Sequence, residues 1–185
     1  MMKVIALNAS PNQDGLTAAA AEALLAGVAE AGAEVKLMHL CDLNLVVCQA
    51  CANGWGQCRT EGDCIQEDDF EGVRQEIIAA DAWVLATPVY FGEPSEIARV
   101  LLDRLRRCNI GPQGGQLRDK DFVGICAAGG TGRGIGTCAE VLERISSHMG
   151  MRLADLLLIT RRSRLYKLDM LKAAGRALVE QRWEE

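Results

Sequence analysis

The sequence lacks several features that whole classes of protein require. No stretch of its 185 residues offers the ~20 consecutive apolar residues of a membrane-spanning helix, which excludes a membrane protein of that kind. The apolar run in the N-terminal segment MMKVIALNASPNQ is too short for the core of a signal peptide, so we expect a cytoplasmic protein. Positive charge is in deficit, with 20 Lys and Arg against 25 Asp and Glu, and the net charge of -5 argues against a general nucleic-acid-binding surface.

Residues typical of acid-base catalysis are also scarce. The chain has two histidines, His39 and His148, and neither belongs to a recognisable acid-base constellation, so we interpret both as structural. The lysine of a P-loop is missing as well, which argues against a nucleotidase of that type. The basic stretches RLRR (104–107) and RRSR (161–164) could receive an acidic protein partner or a nucleotide phosphate, but we interpret them as solvated faces. The acidic run 67–69 could mimic a metal site, but we interpret it as the favourably charged start of a helix.

Cysteine, in contrast, is abundant. The chain has eight, and four of them lie in the segment CQACANGWGQCRTEGDC (48–64). Glutathione keeps thiols reduced in the cytosol, so a disulfide is not expected there. Four thiolates suit an iron-sulfur cluster or zinc, and a loop with free thiols stays open as the third alternative. The remaining cysteines are predicted to be small buried apolar residues: Cys41, Cys108, Cys126 and Cys138.

Strand and helix patterns alternate along the whole chain. Apolar or alternating runs predict five strands, at 3–9, 34–40, 82–89, 122–128 and 151–160. Helical spacing predicts five helices, at 16–33, 67–80, 96–108, 137–150 and 168–183. This order is typical of an α/β protein with a doubly wound parallel sheet. We therefore predict one domain, 1–185, with a cysteine-rich insertion at 41–66 after the second strand.

Three unusual loops follow strands one, three and four, at the edge where such sheets bind ligands. The loop SPNQDGLT (10–17) ends at a helix N-terminus, which suits a phosphate, although a simple N-cap turn is the alternative. The loop TPVYFGEPS (87–95) displays aromatic residues that a flat ring would cover, unless it folds into the core or forms an oligomer contact. The glycines of AAGGTGRGIG (127–136) let the backbone lie against a ring system.

The motifs SPNQDGLT, TPVYFGEPSEIARVLLDRL and CAAGGTGRGIG resemble, in order, the three flavin loops of the flavodoxin-like NAD(P)H-dependent FMN reductases. The cysteine segment after strand two resembles that of the iron-sulfur flavoproteins. The resemblance implies a flavodoxin-like sheet of order 2-1-3-4-5, bound FMN, a [4Fe-4S] cluster and a homodimer or homotetramer. Asn12 and Leu16 depart from the family, which usually has arginine and asparagine there, and six residues form a longer spacer between Cys51 and Cys58.

The resemblance also implies which residues bind each group. The predicted cluster ligands are Cys48, Cys51, Cys58 and Cys64. The predicted FMN-binding residues are Ser10, Asn12, Gly15, Leu16, Thr17, Pro88, Val89, Tyr90, Phe91, Gly92, Ala128, Gly129, Gly130, Thr131 and Gly132.

The function expected from this reasoning is an FMN-dependent oxidoreductase. Through FMN it would transfer electrons between the cluster or NAD(P)H and a small-molecule acceptor such as a quinone, with a ferredoxin-like protein as electron-transfer partner. Three alternatives stay open: a cluster-free NAD(P)H-dependent FMN or quinone reductase, a non-enzymatic electron carrier, and a structural zinc-binding module. No separate catalytic side chain is predicted, because hydride transfer is the chemistry of the cofactor.

Overall fold

Five long parallel strands form the centre of the molecule, in the spatial order Glu34–His39, Lys3–Asn8, Ala82–Tyr90, Asp121–Ala128 and Arg152–Thr160. The computed structural model describes residues 1–111 and 114–180. The strands are β1 (Lys3–Asn8), β2 (Glu34–His39), β3 (Ala82–Tyr90), β4 (Glu93–Pro94), β5 (Asp121–Ala128) and β6 (Arg152–Thr160). The helices are α1 (Leu16–Glu30), α2 (Gln57–Thr60), α3 (Phe70–Ala79), α4 (Glu96–Cys108), α5 (Ile135–His148) and α6 (Arg164–Glu180). The predicted doubly wound sheet and its strand order are confirmed.

Two apolar layers cover the two faces of the sheet. On one face, α1 and α6 bury the side chains of Leu24, Val28 and Leu171 against the central strands. On the other face, α3, α4 and α5 pack around Trp83 and Phe122, whose rings lie 4.6 Å apart. Strands covered on both sides need continuous apolar runs, which is why β1, β3 and β5 are apolar almost throughout. Within the described residues, no helix has the length and apolarity needed to cross a membrane.

The structure adds one strand that the sequence patterns did not predict. β3 runs on to Tyr90, and the short β4 pairs antiparallel with its end through Tyr90 and Glu93. Phe91 and Gly92 connect the two strands, with φ values of 52° and 81°. Positive φ at both central residues is the geometry of a type I′ turn, where asparagine or glycine is preferred. The predicted loop at 87–95 is therefore a tight hairpin with a fully exposed Phe91 at its tip.

Several predicted helix bounds are displaced. α3 begins at Phe70 rather than at residue 67, because Asp68 and Asp69 accept hydrogen bonds from the cysteine-rich segment instead of entering the helix. α6 begins at Arg164, four residues early, and residues 181–183 of the prediction lie outside the described residues. The prediction that Cys41 is buried is wrong: the 3-10 turn Leu40–Asp42 directs Leu40 into the core and leaves Cys41 exposed.

Candidate active site

An open cleft lies at the carboxyl edge of the sheet, with a volume of about 1210 Å³ that includes space open to solvent. The ends of three strands and the loops after them form its walls, because the carboxyl ends of parallel strands meet at one edge. Its lining residues are Ser10, Asn12, Gly15, Leu16, Thr17, Pro88, Val89, Tyr90, Ala127, Ala128, Gly129, Arg161 and Arg164. Residues from all three predicted loops therefore surround one cavity. That they bind FMN stays a prediction.

The first wall is the connection from β1 to α1. It is ordered by hydrogen bonds within the loop: Asn8 Oδ1 accepts from the Ser10 amide at 3.1 Å, and Ser10 Oγ accepts from the Asn12 amide at 3.2 Å. No side chain caps α1, and its first turn contains no acidic residue. The partial positive charge of this helix N-terminus therefore faces the cleft with no carboxylate in the first turn to offset it.

The second and third walls are the β3–β4 hairpin and the loop after β5. Tyr90 lines the cleft and is about half exposed, whereas Phe91 and Gly92 lie outside the lining. The hairpin rests on α5, because Thr137 Oγ1 donates to the carbonyl of Gly92 at 2.9 Å. Gly129 lines the cleft, and a Cβ placed on it would meet no atom within 4 Å. The structure does not place the remaining predicted residues, Gly130, Thr131 and Gly132, in the cleft lining.

Two cleft residues were missed by the sequence reasoning. Arg161 and Arg164 follow the carboxyl end of β6 and belong to the stretch interpreted as a solvated face. Both are exposed, yet both line the same cavity as the N-terminus of α1. The sequence did contain a signal that they belong to the cleft: both follow the last strand, and the carboxyl ends of all the parallel strands lie at this edge of the sheet. Two guanidinium groups and an uncapped helix N-terminus in one cleft make it attractive to anions.

A second pocket, which we call the cysteine pocket, lies between the insertion and α4. It has a volume of about 340 Å³, including space open to solvent. Its lining residues are Cys48, Gln49, Cys51, Cys58, Cys64, Ile65, Gln66, Arg104, Arg107 and Cys108. All four predicted ligands therefore meet at one place. Cys108, predicted as a buried apolar residue, is buried but also belongs to this lining, and burial raises the pKa of its thiol to about 12.

The sulfurs of the cysteine pocket already receive hydrogen-bond donors. The Ala50 amide lies 3.4 Å from Cys48 Sγ, and Gln66 Nε2 lies 3.9 Å from Cys64 Sγ. Across residues 1–111 and 114–180, however, no three Cys, His, Asp or Glu side chains converge closely enough to hold a single metal ion. Zinc bonds of about 2.3 Å in a tetrahedron would require sulfurs roughly 3.8 Å apart. The four thiols thus line one pocket without forming a closed single-ion site.

Two arginines of α4 form the wall of the cysteine pocket. Arg104 is almost fully buried, with Asp68 as its ion-pair partner at 2.5 and 2.9 Å and the Phe70 ring 4.1 Å below it. Arg107 donates to the carbonyl of Gly54 at 2.7 Å and stacks over Trp55. The interpretation of 104–107 as a solvated face is therefore wrong for these two residues. The partners that hold them in this wall, Asp68 for Arg104 and Gly54 and Trp55 for Arg107, lie far away in the sequence, so the local pattern gave no signal of burial.

The electrostatic environment of this wall favours the charged forms of both Asp68 and Arg104. Burial alone would raise the pKa of Asp68, but hydrogen bonds from Arg104 and from the Val46 and Phe70 amides outweigh it and hold that pKa below its ordinary value. Burial likewise disfavours the charged form of Arg104, yet its attraction to Asp68 and Cys64 places its pKa above the ordinary value. The guanidinium therefore stays charged beside the thiols.

The chain matches a known protein family and is similar to several known proteins. The family model for NADPH-dependent FMN reductases matches residues 2–156. An iron-sulfur flavoprotein of Archaeoglobus fulgidus is 34% identical over 69% of this chain and 60% of its own, and one of Methanocaldococcus jannaschii is 36% identical over 71% and 64%. The chain therefore spans under two thirds of the length of these relatives.

Solved structures agree on the architecture. An NAD(P)H:quinone oxidoreductase from Methanothermobacter marburgensis superposes with a TM-score of 0.78, covering 100% of this chain and 98% of that chain at 20% identity. A flavone reductase gives a TM-score of 0.76 at 17% identity, covering 97% of this chain and 62% of that chain. Identities this low establish the shared fold alone.

Proposed function

Since the chain belongs to the NADPH-dependent FMN reductase family, we propose that it is an FMN-dependent oxidoreductase whose cysteine pocket holds a [4Fe-4S] cluster. The family resemblance read from the sequence motifs is thereby confirmed. The observation that carries the FMN assignment is the single cleft lined by all three predicted loops. The names of the relatives, iron-sulfur flavoproteins, support the cluster, and so does the meeting of four cysteines in one pocket.

The phosphate of FMN fits the end of the cleft where α1 begins. Backbone N–H groups at the start of α1 and the hydroxyls of Ser10 and Thr17 would supply neutral donors. Asn12 stands where the family usually has an arginine, so this loop contributes no cationic side chain. Arg161 and Arg164 line the cleft and would supply the missing positive charge from α6 and the loop before it.

The flat ring of FMN fits the opposite walls. Pro88, Val89 and Tyr90 present apolar surface, and the space beside Gly129 allows the backbone to approach a ring closely. Bound FMN would accept a hydride from a reduced nicotinamide and release electrons singly or in pairs. The protein residues would hold the ring in place, cover one of its faces and leave the open side of the cleft for a donor or acceptor.

The residues of the cysteine pocket fit a cluster better than a single ion. A cube of iron and sulfide holds its cysteine ligands farther apart than a zinc ion does, so it is compatible with four thiols that line one pocket without converging on a single ion. Hydrogen bonds from Ala50 and Gln66 to cysteine sulfurs would support the thiolate form. One buried donor of this pocket, Arg104 Nε, also has no hydrogen-bond partner in the described part of the chain, which suits an acceptor sulfur.

Anaerobic purification tests the proposal directly. We expect flavin absorbance, together with four iron and four acid-labile sulfide per chain, as one [4Fe-4S] cluster requires, and oxidation of NADH or NADPH when a quinone is supplied. Replacing Cys51 by serine should abolish iron binding and leave FMN bound. The matched control is Cys41→Ser, because Cys41 is exposed and lies outside the pocket lining. A chain that binds no flavin after reconstitution would overturn the whole assignment.

A cluster-free NAD(P)H-dependent FMN or quinone reductase is the second candidate. The observation that favours it is the family model, which describes NADPH-dependent FMN reductases and matches residues 2–156. It would show fast nicotinamide oxidation, bound FMN and no iron, whereas an electron carrier would show both cofactors and negligible turnover.

A ferredoxin partner, a homodimer or homotetramer and a cytoplasmic location remain predictions. Exposed Leu165 and Tyr166, next to cleft residue Arg164, agree with a subunit contact, which light scattering would test.

A further inference from the structure

Two buried side-chain atoms in the described part of the chain have no hydrogen-bond partner, and both belong to the lining of the cysteine pocket. They are Arg104 Nε and Gln66 Oε1. A buried polar group without a partner costs about 1–3 kcal/mol, so folded proteins pair nearly all of them. Gln66 Oε1 is itself an acceptor and needs a donor, so only Arg104 Nε indicates that an acceptor group is bound at this pocket in the functional protein.

Arg104 is held so that its unpaired atom has little freedom to move. Nη1 donates to Asp68 and to the Val46 carbonyl, and Nη2 donates to Asp68 at 2.9 Å. The Phe70 ring, 4.1 Å from the guanidinium carbon, fixes the plane of the group. Because the guanidinium is planar, fixing these two nitrogens also fixes the direction of the Nε–H bond. Of the three side-chain nitrogens of Arg104, Nε alone makes no hydrogen bond.

We infer that Arg104 Nε donates a hydrogen bond to a sulfur of the group that Cys48, Cys51, Cys58 and Cys64 bind, and so acts as a positioning residue that raises its reduction potential. The inference rests on the proposed cluster. Arg104 and all four cysteines line one pocket, Nε has no other partner, and a thiolate or sulfide is the acceptor that the pocket chemistry offers.

The direction of the effect follows from charge. Thiolate-bound clusters become more negative when they gain an electron, so a fixed N–H donor stabilises the reduced form more than the oxidised form. The positive charge of Arg104 is largely balanced by Asp68, its buried ion-pair partner. The hydrogen bond from Nε is therefore the contribution that distinguishes arginine from lysine at this position.

The test compares Arg104→Lys with Arg106→Lys in the cluster-loaded protein. Lysine retains the charge opposite Asp68 but has no Nε–H donor. Arg106 lies on the same helix, pairs with Asp103 and is outside the pocket lining, so its replacement controls for a general change in charge geometry. Potentiometric titration monitored by electron paramagnetic resonance gives the potential. We expect R104K to lower the equilibrium constant for one-electron reduction at least tenfold, which is about 59 mV, and R106K to leave it unchanged.

A spectroscopic measurement on the unmodified protein keeps the inference testable if R104K folds poorly. With arginine labelled by ¹⁵N, pulsed electron paramagnetic resonance of the reduced cluster should detect a nitrogen coupling that R106K retains and R104K loses. An unchanged potential in a folded, loaded R104K, or no arginine coupling in the wild-type protein, would overturn the inference alone. A wild-type chain that binds FMN but takes up no iron or sulfide would overturn the proposed cluster and this inference with it.

Discussion

The Asp68–Arg104 ion pair offers the sharpest test of how the cysteine pocket is built. Both side chains are 1% exposed, and two hydrogen bonds of 2.5 and 2.9 Å join them. Asp68→Asn keeps the shape but leaves a buried guanidinium without a counter-charge, which costs about 3–5 kcal/mol when one partner of a buried pair is removed. We expect the free energy of unfolding in urea, measured by circular dichroism on protein stripped of flavin and metal, to fall by that amount.

The control replaces another aspartate that pairs with arginines of the same helix. Asp103 contacts Arg106 at 3.2 Å and Arg107 at 3.1 Å but is 43% exposed, so Asp103→Asn should cost at most about 1 kcal/mol. The effect of Asp68 should also depend on pH. Its folded pKa lies below the ordinary value of 3.8, so its contribution is present above that pH and is lost as the pH falls through the folded pKa. Equal losses for the two variants at pH 7 would refute the reasoning.

Three further predictions address the spacer, the phosphate end of the cleft and the hairpin. Gly56→Ala would place a Cβ 2.6 Å from Cys51 Sγ, so iron and sulfide content per chain should fall while FMN content is retained. Replacing both Arg161 and Arg164 by glutamine should weaken FMN binding at least tenfold at low salt in a fluorescence titration but leave riboflavin, which lacks the phosphate, almost unaffected. Phe91→Asn relieves a left-handed φ in a type I′ turn and should stabilise the fold by roughly 1 kcal/mol in urea unfolding, whereas a loss of stability would contradict the strain argument.

The alternation of strands and helices could be predicted because the signals for it are local. Apolar runs such as those of β1, β3 and β5 are short, bounded by turn residues and followed by helical spacing. Parallel pairing then fixes one edge for all the carboxyl ends, so the three loops could be placed together without any contact being known. The same rule applied to the end of β6 would have found Arg161 and Arg164, but their charge pattern is equally typical of a solvated helix start.

The burial of Arg104 could not be predicted from its neighbours. It belongs to a run of arginines on α4 whose other members include the half-exposed Arg106. What buries it is Asp68, 36 residues earlier in the chain, together with the Phe70 ring and the Val46 carbonyl. Asp68 in turn lies before the first residue of α3, although the acidic run predicted it to be part of the start of that helix. Because the two residues of this pair are far apart in the chain, no local sequence pattern predicts that they pair.

The long spacer between Cys51 and Cys58 is accommodated outside the pocket. Ala52–Gly54 forms a 3-10 turn in which Asn53 has a left-handed φ of 59° and the Gly54 amide donates to the Ala50 carbonyl. Arg107 holds this turn against α4 through the Gly54 carbonyl. None of residues 52–57 lines the cysteine pocket.

Because the extra residues project outward and are held by α4, they change the path of the chain between the two cysteines without separating the sulfurs from the common pocket. Gly56 completes this arrangement, because any side chain there would meet the sulfur of Cys51. The spacer and the two arginines of α4 therefore depend on each other. Arg107 holds the loop that carries Cys51 to the pocket. Arg104, from the same helix, supplies the free Nε–H that lies in this pocket. The spacing of the cysteines in the sequence does not show the contact with α4, so it could not predict whether the four sulfurs meet in one pocket.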